Sequence, residues 1–145
     1  MFVRPLIVLL ISILLGACSQ QEVAPKINYS QDSPVTFEEV ENVIKEEGLD
    51  LMDTELPANN VFVSVLNGVS PEDYLLEGTP LSIYVFPTAT DRGKGIEQFM
   101  ESTATAKLQE HKAFGINNVL LFYVGGVEEL NNKLLNALTK LESPA

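Results

Sequence analysis

Two nearly uninterrupted apolar runs, Leu81–Phe86 and Val119–Val124, constrain this chain more than any other feature. Both are rich in β-branched and aromatic residues, as strands are. Pro87 closes the first and Gly125-Gly126 the second, and a stretch of helical period follows each. The first such stretch, Asp91–Ala106, puts Ile96, Phe99, Met100 and Thr103 on one side. In the second, Val127, Leu130, Leu134, Leu135, Leu138 and Leu141 make a continuous stripe that must pack on something. A weaker strand precedes each strong one: Tyr74–Leu76 ahead of a turn at Glu77-Gly78-Thr79-Pro80, and Lys107–Phe114 ahead of a turn at Gly115-Ile116-Asn117-Asn118. The order is that of two β-β-α units, although no residue-level repeat accompanies it.

Upstream, Thr36 and Glu39 form a T-x-x-E capping box for a helix over Phe37–Glu47, whose Val40, Val43 and Ile44 share a side with Phe37. Val61–Leu66, β-branched and set between Asn59-Asn60 and Asn67-Gly68, reads as a further strand. Strands outnumber crossover helices and the turns are those of hairpins. The expected class is therefore α+β: a mainly antiparallel sheet with helices packed on one face, a two-layer sandwich, in one globular domain over 36–142.

The N-terminus is of a different kind. Arg4 and the amino group precede an apolar run, Leu6–Leu15, in which Ser12 is the most polar residue. Ten helical residues span about 15 Å, half of what a bilayer core requires, so this is the pattern of a secretory signal. Leu15-Gly16-Ala17-Cys18 follows, and then the polar Ser19-Gln20-Gln21-Glu22. That tetrapeptide resembles the lipobox of bacterial lipoproteins. The resemblance implies cleavage between Ala17 and Cys18, transfer of a diacylglyceryl group to the Cys18 thiol, and a lipidated Cys18 as the new first residue. Acyl chains contribute about 0.8 kcal/mol per buried methylene, so two or three of them hold a protein on its membrane. Cys18 is the sole cysteine, which excludes an internal disulfide. The mature domain also resembles small uncharacterised lipoproteins of Gram-positive bacteria, through Leu81–Phe86 and Val119–Tyr123 ahead of their helices. This second resemblance carries no activity with it.

Cleavage would leave 128 residues and, with Arg4 removed, 8 basic against 20 acidic side chains. Such a domain is repelled by phosphate backbones and by anionic headgroups, so no nucleic-acid partner is expected and the domain stands off its membrane. Residues 18–35, polar and holding Pro25 and Pro34, read as a flexible tether.

Chemistry is hard to find. Ser64, Ser82 and Ser102 lack a G-x-S-x-G elbow, and His111 is the only histidine. One His and one Cys do not make an ordinary zinc site. The acids Glu38, Glu39, Glu41, Glu46, Glu47, Asp50, Asp53 and Glu55 lack the spacing of a calcium loop and read as a solvated face. Asp91-Arg92-Gly93-Lys94-Gly95 opens a helix with two cations, as an anion cradle would, but the P-loop ending is missing. Tyr84, Phe86, Phe122 and Tyr123 read first as core and second as the lining of a pocket.

The expectation is a lipid-anchored, extracytoplasmic binding or accessory module of the cell envelope, with no metal or cofactor, offering a discrete apolar or sheet-edge surface to an envelope protein. Two other readings stay open. An envelope hydrolase requires two converging carboxylates in a cleft, and a small-ligand carrier requires an aromatic-lined pocket.

Overall fold

The computed structural model describes residues 34–142. Five strands form one antiparallel sheet in the order β1-β2-β3-β5-β4: β1 is Leu51–Asp53, β2 Glu72–Leu76, β3 Thr79–Val85, β4 His111–Ile116 and β5 Val119–Val124. Three helices accompany it, α1 (Phe37–Glu46), α2 (Ala89–Thr103) and α3 (Glu128–Thr139). The α+β class, the antiparallel sheet and the two successive β-β-α units of the sequence reading are all present. Among the described residues no helix is long and apolar enough to cross a membrane.

The two strong apolar runs occupy the middle of the sheet because both of their faces are covered. β3 and β5 pair with Ile83 opposite Leu121 and Ser82 opposite Phe122. Leu81, Ile83, Val119, Leu121 and Tyr123 point to one side, where Val40 and Ile44 of α1 and Leu134, Ala137 and Leu138 of α3 complete a core. Tyr84, Phe86, Leu120, Phe122 and Val124 point to the other side and form a second core with Phe62, Leu66 and Phe99, the last from α2. The alternation of a strand enforces this division. Covering of one face by helices thus describes α1 and α3, whereas α2 packs on the opposite face.

Hairpin turns fix the register. Leu76 pairs with Thr79 across Glu77-Gly78, both at positive φ (50° and 80°), the conformation that matches strand twist in a two-residue turn. Ile116 pairs with Val119 across Asn117-Asn118, so Gly115 and Ile116, expected in the turn, belong to the strand.

Val61–Leu66 is not a strand. Val61–Val63 is a single 3-10 turn whose N-cap, Asn60, accepts from the Phe62 N–H at 3.0 Å. Leu66 and Val69 then close a tight turn through Asn67-Gly68. Composition favoured a strand here, but the segment lies on the face of the sheet. Phe62 plugs the second core, and the Tyr84 hydroxyl, 2.9 Å from the Phe62 carbonyl and 2.8 Å from that of Ser64, donates to this loop. The place beside β2 belongs to β1, three residues too few to show a period in the sequence.

Candidate functional site

The helix boundaries explain why the glycine-bearing Asp91–Gly95 segment is no anion cradle. Thr88 caps α2, accepting from the Asp91 N–H at 3.0 Å while its own hydroxyl donates to Asp91 Oδ2 at 2.7 Å. That hydrogen bond holds the Asp91 carboxyl below the usual range. The helix therefore starts at Ala89, and the Arg92 N–H already reaches the Thr88 carbonyl. Gly95 serves packing: a Cβ there would stand 2.7 Å from Phe86 Cζ. Lys94 turns back to Asp91 at 3.3 Å.

His111 is a wall of the aromatic cluster. Its ring centroid lies 4.8 Å from that of Phe62 and 6.1 Å from that of Phe122. Its Nδ1 sits 2.9 Å from the Gln109 carbonyl, which can only accept, so this nitrogen carries the proton. Neither Ser82 nor Ser102 turns to it: Ser82 donates to Asp73 and Ser102 to the Phe99 carbonyl. Tyr84, Phe86, Phe122 and Tyr123 are all buried in the cores. Beside Tyr123, with Lys112, Gly126 and Asn131, is a cavity of about 10 Å³, room for one water and not for a carried ligand.

Two carboxylates do converge. The Tyr74 hydroxyl is 2.9 Å from Glu41 and 3.2 Å from Glu72, and donates to one of them. Burial, and then acceptance by Glu41, holds this phenol protonated. A hydrolytic pair needs a water or a substrate oxygen at that point, and the Tyr74 hydroxyl occupies it. Glu41 also pairs with Lys45 at 3.2 Å. Among the described residues no three His, Cys, Asp or Glu side chains converge as metal ligands. The acids on α1 serve local structure: Glu39 closes the capping box and is held below its usual range by the Thr36 N–H.

A wider depression of about 420 Å³ lies among Pro80, Gln109, Glu110, Val124 and Gly125, with no aromatic ring in its lining, and beside it runs an open sheet edge. Among the described residues β4 is the last strand of the sheet and is hydrogen-bonded only to β5. The Gly125 N–H donates to the Glu110 carbonyl at 2.8 Å, and antiparallel pairs alternate, so Glu110, Lys112, Phe114 and Ile116 turn their backbone groups inward. The N–H and C=O groups of His111, Ala113 and Gly115 therefore point away from the sheet. Lys112, Ala113 and Gly115 are exposed. The opposite edge, β1, is half as long and bears Asp53.

Asn118 anchors the end of this hairpin. Only 3 % exposed, it donates to the carbonyls of Val35 (2.9 Å) and Phe86 (2.7 Å) and accepts from the Val35 N–H (2.8 Å). Val35, the last residue of the expected tether, is thereby fixed to the sheet. Nothing in the sequence distinguished Asn118 from an ordinary turn asparagine. Ala17 and Cys18 lie outside the described residues. The chain matches no protein-family model, no curated protein and no solved structure.

Proposed function

We propose that this protein is a lipid-anchored, extracytoplasmic binding module of a bacterial envelope, held on the membrane through Cys18 and engaging a protein partner along β4. The observation that carries the binding half is the row of outward backbone donors and acceptors at His111, Ala113 and Gly115 on an exposed edge strand. Such a row is a template for a further strand, with affinity from main-chain hydrogen bonds and selectivity from side chains. The lipobox Leu15-Gly16-Ala17-Cys18 supports the anchoring half. Enzymatic and carrier readings lose ground to the Tyr74 hydroxyl between Glu41 and Glu72 and to the burial of the aromatic residues.

Both halves can be tested in cells of the source organism. Mass spectrometry of the purified protein should find an acylated Cys18 as the first residue, and Cys18→Ala should abolish acylation and release the chain from membranes. A photo-crosslinker at Lys112 should capture one partner, lost in Cys18→Ala, while the same group at Glu97 on α2 captures none. An unmodified Cys18 refutes the anchor. Equal capture from both positions, or none from either, refutes the β4 surface.

A further inference from the structure

The edge strand differs in charge from the rest of the molecule. The chain holds 20 acids, yet Glu110 is the only one between Lys107 and Val127. The basic residues divide in the same way. Lys45, Lys94, Lys133 and Lys140 all make ion pairs, Lys140 with Glu47 at 2.8 Å and Glu46 at 3.6 Å. Arg92, Lys107 and Lys112 have no carboxylate partner among the described residues. Lys112 is in β4, and Lys107 lies in the segment leading into it.

Arg92 reaches β4 from α2. Its guanidinium lies on Gly115, with Nη1 3.3 Å and Cζ 3.5 Å from where a Cβ on that residue would stand. The missing side chain lets a cation rest against the edge strand. The Arg92 Nε is buried and has no acceptor among the described residues. Strand alternation sends position 115 toward the α2 side of the sheet and position 112, opposite Tyr123, toward the α3 side. The open backbone ladder thus carries on each of its two faces a cation that makes no ion pair among the described residues.

We infer that the β4 edge receives an extended acidic peptide segment of the partner, added as a sixth strand, with carboxylates on its two faces beside Arg92 and Lys112. This rests on the β4 binding surface proposed above and assigns its selectivity. Side chains directly across a strand pair stand about 5 Å apart, within reach of such pairing.

The test uses the full chain in detergent, ¹⁵N-labelled, with two ten-residue peptides, one alternating Glu and Val and the other Lys and Val. The acidic peptide should perturb the amide resonances of His111–Ile116 and bind about tenfold tighter than the basic one, equivalent to roughly 1.4 kcal/mol. Added salt should narrow that difference. Ala113→Pro removes an outward N–H without touching the β4–β5 ladder and should abolish binding of both peptides. The double variant Arg92→Gln, Lys112→Gln, which leaves the ladder intact, should bring the two affinities within about twofold, and its melting curve shows that it folds. Equal binding of both peptides at β4 overturns the acidic selectivity and leaves the edge surface standing. Failure of both peptides to perturb β4 overturns the edge surface itself. Concentration-dependent shifts in β4 without peptide, with a dimer in sedimentation, make a second copy of the chain the occupant and overturn the inference.

Discussion

Asn118 is the residue whose replacement tests the architecture most sharply. Its amide makes three hydrogen bonds in a site only 3 % exposed, and the N–H and C=O of Val35 together fix which way the amide points. Asn118→Ala leaves three backbone groups without partners. At about 1 kcal/mol net for each bond, the loss is about 3 kcal/mol, a large part of the roughly 5–15 kcal/mol that stabilises a domain of this size. Asn118→Asp keeps the shape and the bond from the Val35 N–H, but turns a carboxylate oxygen toward the carbonyls of Val35 and Phe86. An uncompensated buried charge costs about 3–5 kcal/mol. The introduced carboxyl holds its proton more tightly in the folded state than in the unfolded chain, so its folded pKa lies above about 3.9. Its penalty is therefore full at pH 7 and is relieved as pH falls through that raised value, when the O–H can donate to one carbonyl. Urea titrations followed by circular dichroism at pH 7 and pH 4 measure both quantities. Losses under about 1 kcal/mol for both variants, or an Asn118→Asp loss independent of pH, would refute the clamp as the support for Val35.

Other expectations follow from packing and burial. Gly93 and Gly95, both in α2, should respond oppositely to alanine. A Cβ at Gly93 meets nothing within 4 Å, so Gly93→Ala should raise stability by about 0.5–1 kcal/mol, whereas at Gly95 it strikes the buried Phe86 ring and overpacking of about 1–3 kcal/mol should outweigh the helix gain. Gly126→Ala should be worse, since the new Cβ overlaps the buried Tyr123 ring, and a melting temperature within about 3 °C of the parent's would contradict the described packing. Burial raises the Asp73 carboxyl above its ordinary range, while the Ser82 hydroxyl at 3.0 Å opposes the shift. A raised folded pKa means that ionising Asp73 costs stability as pH climbs. Ser82→Ala should deepen that cost, losing about 1–2 kcal/mol at pH 7 and less as pH falls through the Asp73 titration; a loss equal at both ends would exclude the hydrogen bond as its source.

Sequence alone determined the elements whose cause is local. The capping box at Thr36 and Glu39, the apolar stripe of α3 and the nearly unbroken apolar runs Leu81–Phe86 and Val119–Val124 are properties of neighbouring residues, and each marks its element. The resemblance of Leu15-Gly16-Ala17-Cys18 to a lipobox is likewise a local signal, and the anchoring proposal rests on it without aid from the fold. Where the cause is distant, residue types misled. Val61–Leu66 has strand composition, but the Tyr84 hydroxyl, 20 and 22 residues from the carbonyls it meets, and a place already taken by β1 keep it out of the sheet. Met100 fits the helical stripe of α2 yet is 64 % exposed, because the approach of Gly95 to Phe86 sets which side of the helix faces inward. The open edge was hidden for the same reason. Lys107–Phe114 was readable as a weak strand, but that it lies outermost depends on the order β1-β2-β3-β5-β4, which no local pattern encodes. The sparse acids after Lys107 were visible in the chain, whereas the cation resting on Gly115 exists only because tertiary packing brings α2 against β4.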